Sequence, residues 1–196
     1  MNATPFCVRM SLADPDTLPK ACQIIAQGGI VVYPTDTLYG LGVDATNEAA
    51  VARLNELKGR TGPISVIAAD LDMVRAWASI TQAEMEKVIP YLGGATTVIL
   101  PVKPGVVTET ILSDDGCLGI RIPAQPFGPD LVKQSGRPIT TTSVNRTGRE
   151  PLNDPDQIYE EFGTEIDLLI DGGTLPKSRG SKIYKYHKGK FIIIRP

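Results

Sequence analysis

The sequence predicts an α/β fold: a single domain, residues 1–196, in which a twisted mixed sheet carries flanking helices. Three observations lead there. Helical and strand periodicities alternate along the chain, strand candidates outnumber helices, and the last two strands lie close enough for a tight hairpin. A chain of 196 residues with 42% hydrophobic and 21% charged side chains is also long and apolar enough to bury a core of its own.

The elements follow in order. From Asp16 to Gln27 the residues Leu18, Ala21, Cys22, Ile24 and Ile25 recur at helical spacing until Gly28-Gly29 stops them. Ile30-Val31-Val32-Tyr33 is continuous and β-branched, as a strand buried on both faces must be, and Pro34 ends it. A polar loop, Thr35-Asp36-Thr37, leads into Leu38–Val43. Thr46 or Asn47 caps a second helix, which shows Ala50, Val51, Leu54 and Leu57 on one face and ends at Lys58-Gly59-Arg60. Pro63–Ala68 reads as a strand, and Leu71–Trp77 and Thr81–Ile89 as helices. Thr96–Pro101, Leu118–Pro123, Ile139–Ser143, Leu168–Asp171, Ser181–Tyr186 and Phe191–Ile194 are further strands. Phe127–Ser135 and Pro155–Phe162 are helices between them, and His187-Lys188-Gly189 turns the final hairpin.

Charge and composition exclude several classes of function. Twenty basic and 22 acidic side chains nearly cancel, yet Thr174–Pro196 holds seven Lys/Arg and no carboxylate, which leaves 13 basic against 22 acidic elsewhere. A basic tail of this kind raises nucleic-acid binding as a candidate activity. The single histidine, His187, excludes HExxH and other multi-histidine metal centres, and its lysine-rich surroundings suit an exposed turn better than a general base. Three scattered cysteines, Cys7, Cys22 and Cys117, make neither metal-ligand pairs nor a disulfide framework. With no apolar stretch of membrane-spanning length and no signal-like start, the expectation is a soluble protein of the reducing cytoplasm.

Gly40-Leu41-Gly42-Val43-Asp44-Ala45 matches GxGxxA. As a dinucleotide fingerprint it fails, because five residues separate it from the preceding strand and no acid-ended strand follows at the required distance. Neither a GxxxxGK[ST] phosphate loop nor a GxSxG elbow is present. Lys58-Gly59-Arg60 places two cations around a glycine, able to converge on one anion or simply to complement a helix C-terminus. Thr140-Thr141-Thr142-Ser143-Val144-Asn145 offers hydroxyls and an amide at a strand end. On an extended segment Thr141, Ser143 and Asn145 share a face toward a polar ligand, and the alternative is turn-forming chemistry alone. Asp36, Asp44, Asp114 and Asp115 read as solvated loop acids.

Taken together, four segments resemble the YrdC-like family of threonylcarbamoyl-adenylate synthases in its short, single-domain form. Gly28 to Gly42 is similar to the family's opening block, Lys58-Gly59-Arg60 to its KxR element, Arg121-Ile122-Pro123 to its RxP element and Ser143-Val144-Asn145 to its SxN element. The resemblance implies a positively charged cleft in which L-threonine, bicarbonate or CO2, and ATP become threonylcarbamoyl-AMP and pyrophosphate. It also implies that a partner enzyme spends that product on tRNA adenosine. By the same resemblance Lys58 and Arg60 carry the catalytic and ATP-binding roles, with Ser143, Asn145 and Arg195 on the nucleotide side. Thr35, Arg121, Thr141 and Ser181 line the threonine pocket, and Mg2+ accompanies ATP with few protein ligands. The competing implication is a module of the same fold that binds double-stranded RNA or tRNA without synthase activity.

This chain also departs from the family pattern. Thr61-Gly62-Pro63-Ile64 follows KxR about two residues short, Gly93-Gly94-Ala95 replaces Pro-Gly-Pro, and Lys182 stands where threonine usually follows Ser181. A paralogous branch lacks KxR and SxN, and both are intact here.

Overall fold

The computed structural model describes residues 7–196. Among these residues ten strands form one mixed sheet: β1 (Val8–Ser11), β2 (Val31–Pro34), β3 (Tyr39–Gly42), β4 (Ser65–Ile67), β5 (Thr96–Pro101), β6 (Cys117–Arg121), β7 (Ile139–Ser143), β8 (Leu168–Asp171), β9 (Lys182–His187) and β10 (Lys190–Arg195). Their order across the sheet is β1-β8-β2-β3-β7-β4-β6-β5-β9-β10. Six α-helices among the described residues flank it: α1 (Thr17–Ala26), α2 (Glu48–Lys58), α3 (Leu71–Trp77), α4 (Gln82–Val88), α5 (Phe127–Ser135) and α6 (Pro155–Phe162). Among the described residues, no helix is long and apolar enough to cross a membrane.

Local chemistry sets the helix ends. Asn47, Asp70, Thr81 and Asp154 each accept a backbone N–H from the first turn of α2, α3, α4 and α6, and Thr81 with Glu84 completes a capping box. Gly59, at φ +65°, closes α2 in the left-handed conformation that only glycine adopts without strain. The final hairpin turns at Lys188-Gly189, where both residues have positive φ, as a two-residue type I′ turn requires.

The two faces of the sheet bury separate clusters. Val31 and Tyr33 of β2 pack with Ile24 and Ile25 of α1 and Leu131 and Val132 of α5, whereas Val32 joins Leu54 of α2 and Phe162 of α6 on the opposite face. This alternation is why β2 is apolar throughout.

Two strands go beyond the sequence reading, β1 and β3. Only four residues long and exposed at all but Met10, β1 is too short for its Val-Arg-Met-Ser alternation to stand out as a strand. In β3 two of four residues are glycine, which depresses strand propensity. Those glycines are needed for space. A Cβ on Gly42 would lie 2.7 Å from Cε1 of Tyr33 and 2.9 Å from Cγ2 of Ile139, and one on Gly40 would lie 3.3 Å from the Tyr33 ring and from Oγ1 of Thr141. The Gly40-Leu41-Gly42 pattern therefore makes room for a buried tyrosine, whose hydroxyl donates to the Thr140 carbonyl at 3.0 Å.

The site-forming feature is β7, which hands its pairing from one neighbour to the other. Ile139, Thr140 and Thr141 pair with β4, while Thr142 and Ser143 pair with β3. The end of β7 thus stands where two halves of the sheet meet, and polar side chains there face a cleft rather than a partner strand.

Gly42→Ala should destabilise the protein by about 1–3 kcal/mol, the usual range for forcing one extra carbon into a filled core. Gly40→Ala, whose contacts are looser, should cost less. Denaturant melts of both variants check this, and a Gly42→Ala midpoint equal to wild type would refute the packing role.

Candidate active site

Every residue that the family resemblance assigns to the site lines one cleft. Lys58, Arg60, Ser143, Asn145, Arg195, Thr35, Arg121, Thr141 and Ser181 border a cavity of about 400 Å3. Among the described residues five cations line it, the four named plus Arg179, and no Asp or Glu does.

The last turn of α2 delivers Lys58, only 3% exposed, to the end of β7. Its ammonium donates to the Ser143 carbonyl at 2.6 Å and to Oδ1 of Asn145 at 2.7 Å. Burial first, and the charge of Arg60 second, bring its pKa down from 10.5 to about 8. Asn145 spends all its polar capacity inside the chain. Its Oδ1 also accepts from the Ser143 hydroxyl at 2.6 Å, and its amide donates to the carbonyls of Arg146 at 3.0 Å and Arg149 at 2.6 Å. These bonds fix the amide that holds Lys58. Arg60 is looser: its Nη2 donates to the Pro63 carbonyl at 3.4 Å, and its buried Nε finds no acceptor.

Arg121, at the end of β6, is 5% exposed and already engaged. It donates through Nε to the Gly94 carbonyl at 3.1 Å, through Nη1 to the Thr37 hydroxyl at 2.9 Å, and through Nη2 to the Asp36 carboxylate. Burial lowers its pKa while Asp36 opposes the shift, and two of its five N–H donors remain for a ligand. Thr35 lines the cleft with a hydroxyl saturated by its own turn, donating to the Leu38 carbonyl at 2.7 Å and accepting from the N–H groups of Thr37 and Leu38. The Thr141 hydroxyl stands beside the Tyr33 phenol at the cleft wall. Opposite, Arg195 donates to the Ser181 carbonyl at 2.8 Å, and the Ser181 and Thr97 hydroxyls lie 2.7 Å apart.

A family model described as Telomere recombination, for Sua5, YciO and YrdC proteins, matches residues 23–196. The chain belongs to this Sua5/YciO/YrdC family. A relative from Methanocaldococcus jannaschii is 36% identical over 173 residues, covering 87% of this chain and 81% of that protein. The threonylcarbamoyl-AMP synthase of Xanthomonas euvesicatoria is 31% identical over 186 residues, covering 92% of this chain and 99% of that one. Among solved structures, Pyrococcus abyssi Sua5 complexed with L-threonine aligns at TM-score 0.85 with 27% identity. That alignment covers 99% of this chain and 57% of the Sua5 chain, so this protein spans somewhat over half of its length.

Within this Sua5/YciO/YrdC site the sequence reading missed Asp36, Thr37, Thr97 and Arg179. Asp36 is no solvated loop acid, since its side chain is 17% exposed and paired with Arg121. Asp44 is likewise buried, accepting from Thr46 and paired with Arg137. A signal existed for Thr37, the second hydroxyl of Thr35-Asp36-Thr37, but none for Thr97, which reads as an ordinary strand threonine. His187, the exposed last residue of β9, does not line the cleft. Among the described residues no cluster of three or more His, Cys, Asp or Glu forms a metal site.

The depressed pKa of Lys58 links stability to pH. Between about 8 and the ordinary 10.5 the unfolded chain holds a proton that the native protein has released, so native stability rises with pH across that window. The unfolding free energy of wild type minus that of Lys58→Met should therefore climb from pH 8 to 10.5 and then level off. A difference independent of pH would show that Lys58 titrates normally.

Proposed function

We propose that this chain is a threonylcarbamoyl-AMP synthase, joining L-threonine, CO2 or bicarbonate, and ATP with release of pyrophosphate. The observation that carries the reading is the cleft itself: five cations, no lining carboxylate, and the KxR, RxP and SxN elements on one wall system. Its curated relatives bear the same activity in their names.

Such a site needs no protein nucleophile. The threonine amine gives up a proton on attacking CO2 and becomes a carbamate. A carbamate oxygen then bonds to the α-phosphorus of ATP, and the bond from that phosphorus to the bridging oxygen breaks, leaving pyrophosphate. The protein's contribution is to align two anions that repel each other and to neutralise the charge that builds on the phosphates. Lys58 and Arg60 serve the triphosphate. The free donors of Arg121 serve the threonine carboxylate, with Asp36 holding the guanidinium from behind. Ser143 and Asn145 act at the nucleotide side through Lys58, and Ser181 with Arg195 forms the far wall. Magnesium enters as part of the substrate MgATP, held by phosphates and water, in keeping with a lining of hydroxyls and cations rather than carboxylates. The adenylate then passes to a partner enzyme that modifies tRNA.

The nucleic-acid reading draws less support. Of the seven basic residues after Thr174, Arg179 and Arg195 face the cleft and Lys185 pairs with Asp115. Any tRNA contact rests on the remaining lysines and should weaken steeply with salt, whereas the pocket reaction should not.

Two outcomes are expected. Pyrophosphate should appear only when ATP, threonine and bicarbonate are all present, and Lys58→Ala or Arg60→Ala should lower kcat/KM for ATP about ten- to a hundredfold, as loss of a charge-assisted phosphate contact does. Pyrophosphate formation indifferent to threonine would sink the reading.

Amino-acid choice offers a separate test. Serine lacks one methyl and should be a poor substrate, while valine lacks the hydroxyl and should be worse. Thr141→Val should narrow the gap between threonine and valine. Thr35→Val should instead lower the melting temperature, because its hydroxyl belongs to the turn. Valine outperforming serine in wild type would show that the pocket reads shape alone.

A further inference from the structure

Four of the five cleft cations are held by the protein, and the fifth is not. Lys58, Arg60, Arg121 and Arg195 each donate to an in-chain acceptor. Arg179 is exposed, lines the cleft, and among the described residues its guanidinium meets no protein acceptor and no carboxylate.

Its setting is a strap. Residues 172–181 connect β8 to β9 without helix or strand and are tied at both ends. At the first end, the Gly172 N–H donates to the Tyr39 hydroxyl at 2.9 Å, Tyr39 donates to the Gly173 carbonyl at 2.8 Å, and the Leu175 N–H donates to the Asn153 carbonyl at 2.9 Å. At the second end, Ser181 is bound by Arg195 and Thr97. Gly180 has φ +82°, and a Cβ there would approach Nη2 of Arg195 to 3.0 Å and Cδ1 of Leu38 to 3.4 Å. The backbone beside Arg179 is thus laid flat on the cleft wall while its side chain stays free. In between, Lys177, Ser178 and Arg179 make no hydrogen bond beyond the strap itself, where Ser178 accepts from the Gly180 N–H.

We propose that Arg179 is a further substrate-binding residue, which closes on the β- and γ-phosphates of ATP and on the pyrophosphate that leaves. This rests on the synthase reading above. Lys58 and Arg121 are buried and suit the reacting centre, Arg195 is exposed but braced on Ser181, and Arg179 is exposed and free to meet the highly charged outer phosphates. An arginine fork matches phosphate oxygens two at a time, and an unpartnered one gives up no protein contact to do so. As the carbamate oxygen bonds to the α-phosphorus, the electron pair of the breaking bond goes to the bridging oxygen of pyrophosphate. The charge therefore grows at the end Arg179 serves. Both end anchors keep the strap registered on the cleft, so the closure needs only side-chain rotation.

The test compares wild type, Arg179→Ala and Arg179→Lys, titrated with ATP, inorganic pyrophosphate and AMP, together with initial rates. Arg179→Ala should bind ATP and pyrophosphate about tenfold more weakly or worse, bind AMP and threonine as wild type does, and melt at the wild-type temperature. Lysine should recover part of the loss as a point charge without the fork. Unchanged affinity for ATP and pyrophosphate in Arg179→Ala would overturn the proposal, as would an equal loss for AMP. A wild-type protein that binds both yet forms no threonine-dependent pyrophosphate would instead overturn the synthase reading, so the two failures are distinct.

Discussion

A buried ammonium without a counter-ion organises this molecule. Lys58 is 3% exposed, and its partners are a carbonyl and an amide oxygen rather than a carboxylate. Keeping a cation there is unfavourable by itself, which its lowered pKa expresses, and an anion beside it offsets that cost. The surrounding structure is arranged to hold it. Asn145 is locked by its own bonds to the turn at 146–149, Arg146 reaches back to the Leu57 carbonyl, and the Thr147 N–H donates to the Lys58 carbonyl at 3.0 Å. The end of α2 and the loop after β7 are therefore a single rigid unit, and the lysine cannot retreat to solvent.

The rest of the cleft follows a graded pattern of commitment. Arg121 is balanced by Asp36 and keeps only part of its donor set free, which suits a small carboxylate that must be oriented. Arg195 is braced on Ser181, Arg60 makes one long bond, and Arg179 makes none. Lys58 and Arg121 lie buried, Arg60 is half-buried, and Arg195 and Arg179 are exposed, so a ligand entering charged end outward meets rigid positioning at its reacting atoms and more adaptable contacts at its leaving end. Among the described residues no carboxylate competes for Lys58, Arg60, Arg179 or Arg195, which leaves them to the ligand's anions, while Arg121 is paired with Asp36.

Much of this was legible from local signals. The helices Leu71–Trp77, Phe127–Ser135 and Pro155–Phe162 and the strands Thr96–Pro101, Ile139–Ser143 and Leu168–Asp171 match the sequence reading, because the helices carry a cap, proline or glycine at their ends and the strands are runs of β-branched or apolar residues. By contrast, β3 was hidden because its glycines exist for the ring of Tyr33, a contact between strands that no local propensity encodes. Asp36 and Asp44 looked like solvated loop acids because their partners, Arg121 and Arg137, lie 85 and 93 residues away.

Residue chemistry along the chain was sufficient for the α/β class, the exclusion of histidine-based metal chemistry, and the set of cations and hydroxyls that a phosphate-binding cleft needs. Those properties are local, since periodicity and side-chain type do not depend on what folds against them. Folding settled which hydroxyls are spent and which are open. Thr35 is consumed by its turn, Asn145 by Lys58, and Arg179 is left free. A hydrogen-bonding group is defined by its partners as much as by its type, and partners drawn from β6, β7, α2 and the strap before β9 meet only when the sheet order brings them to one edge of the cleft.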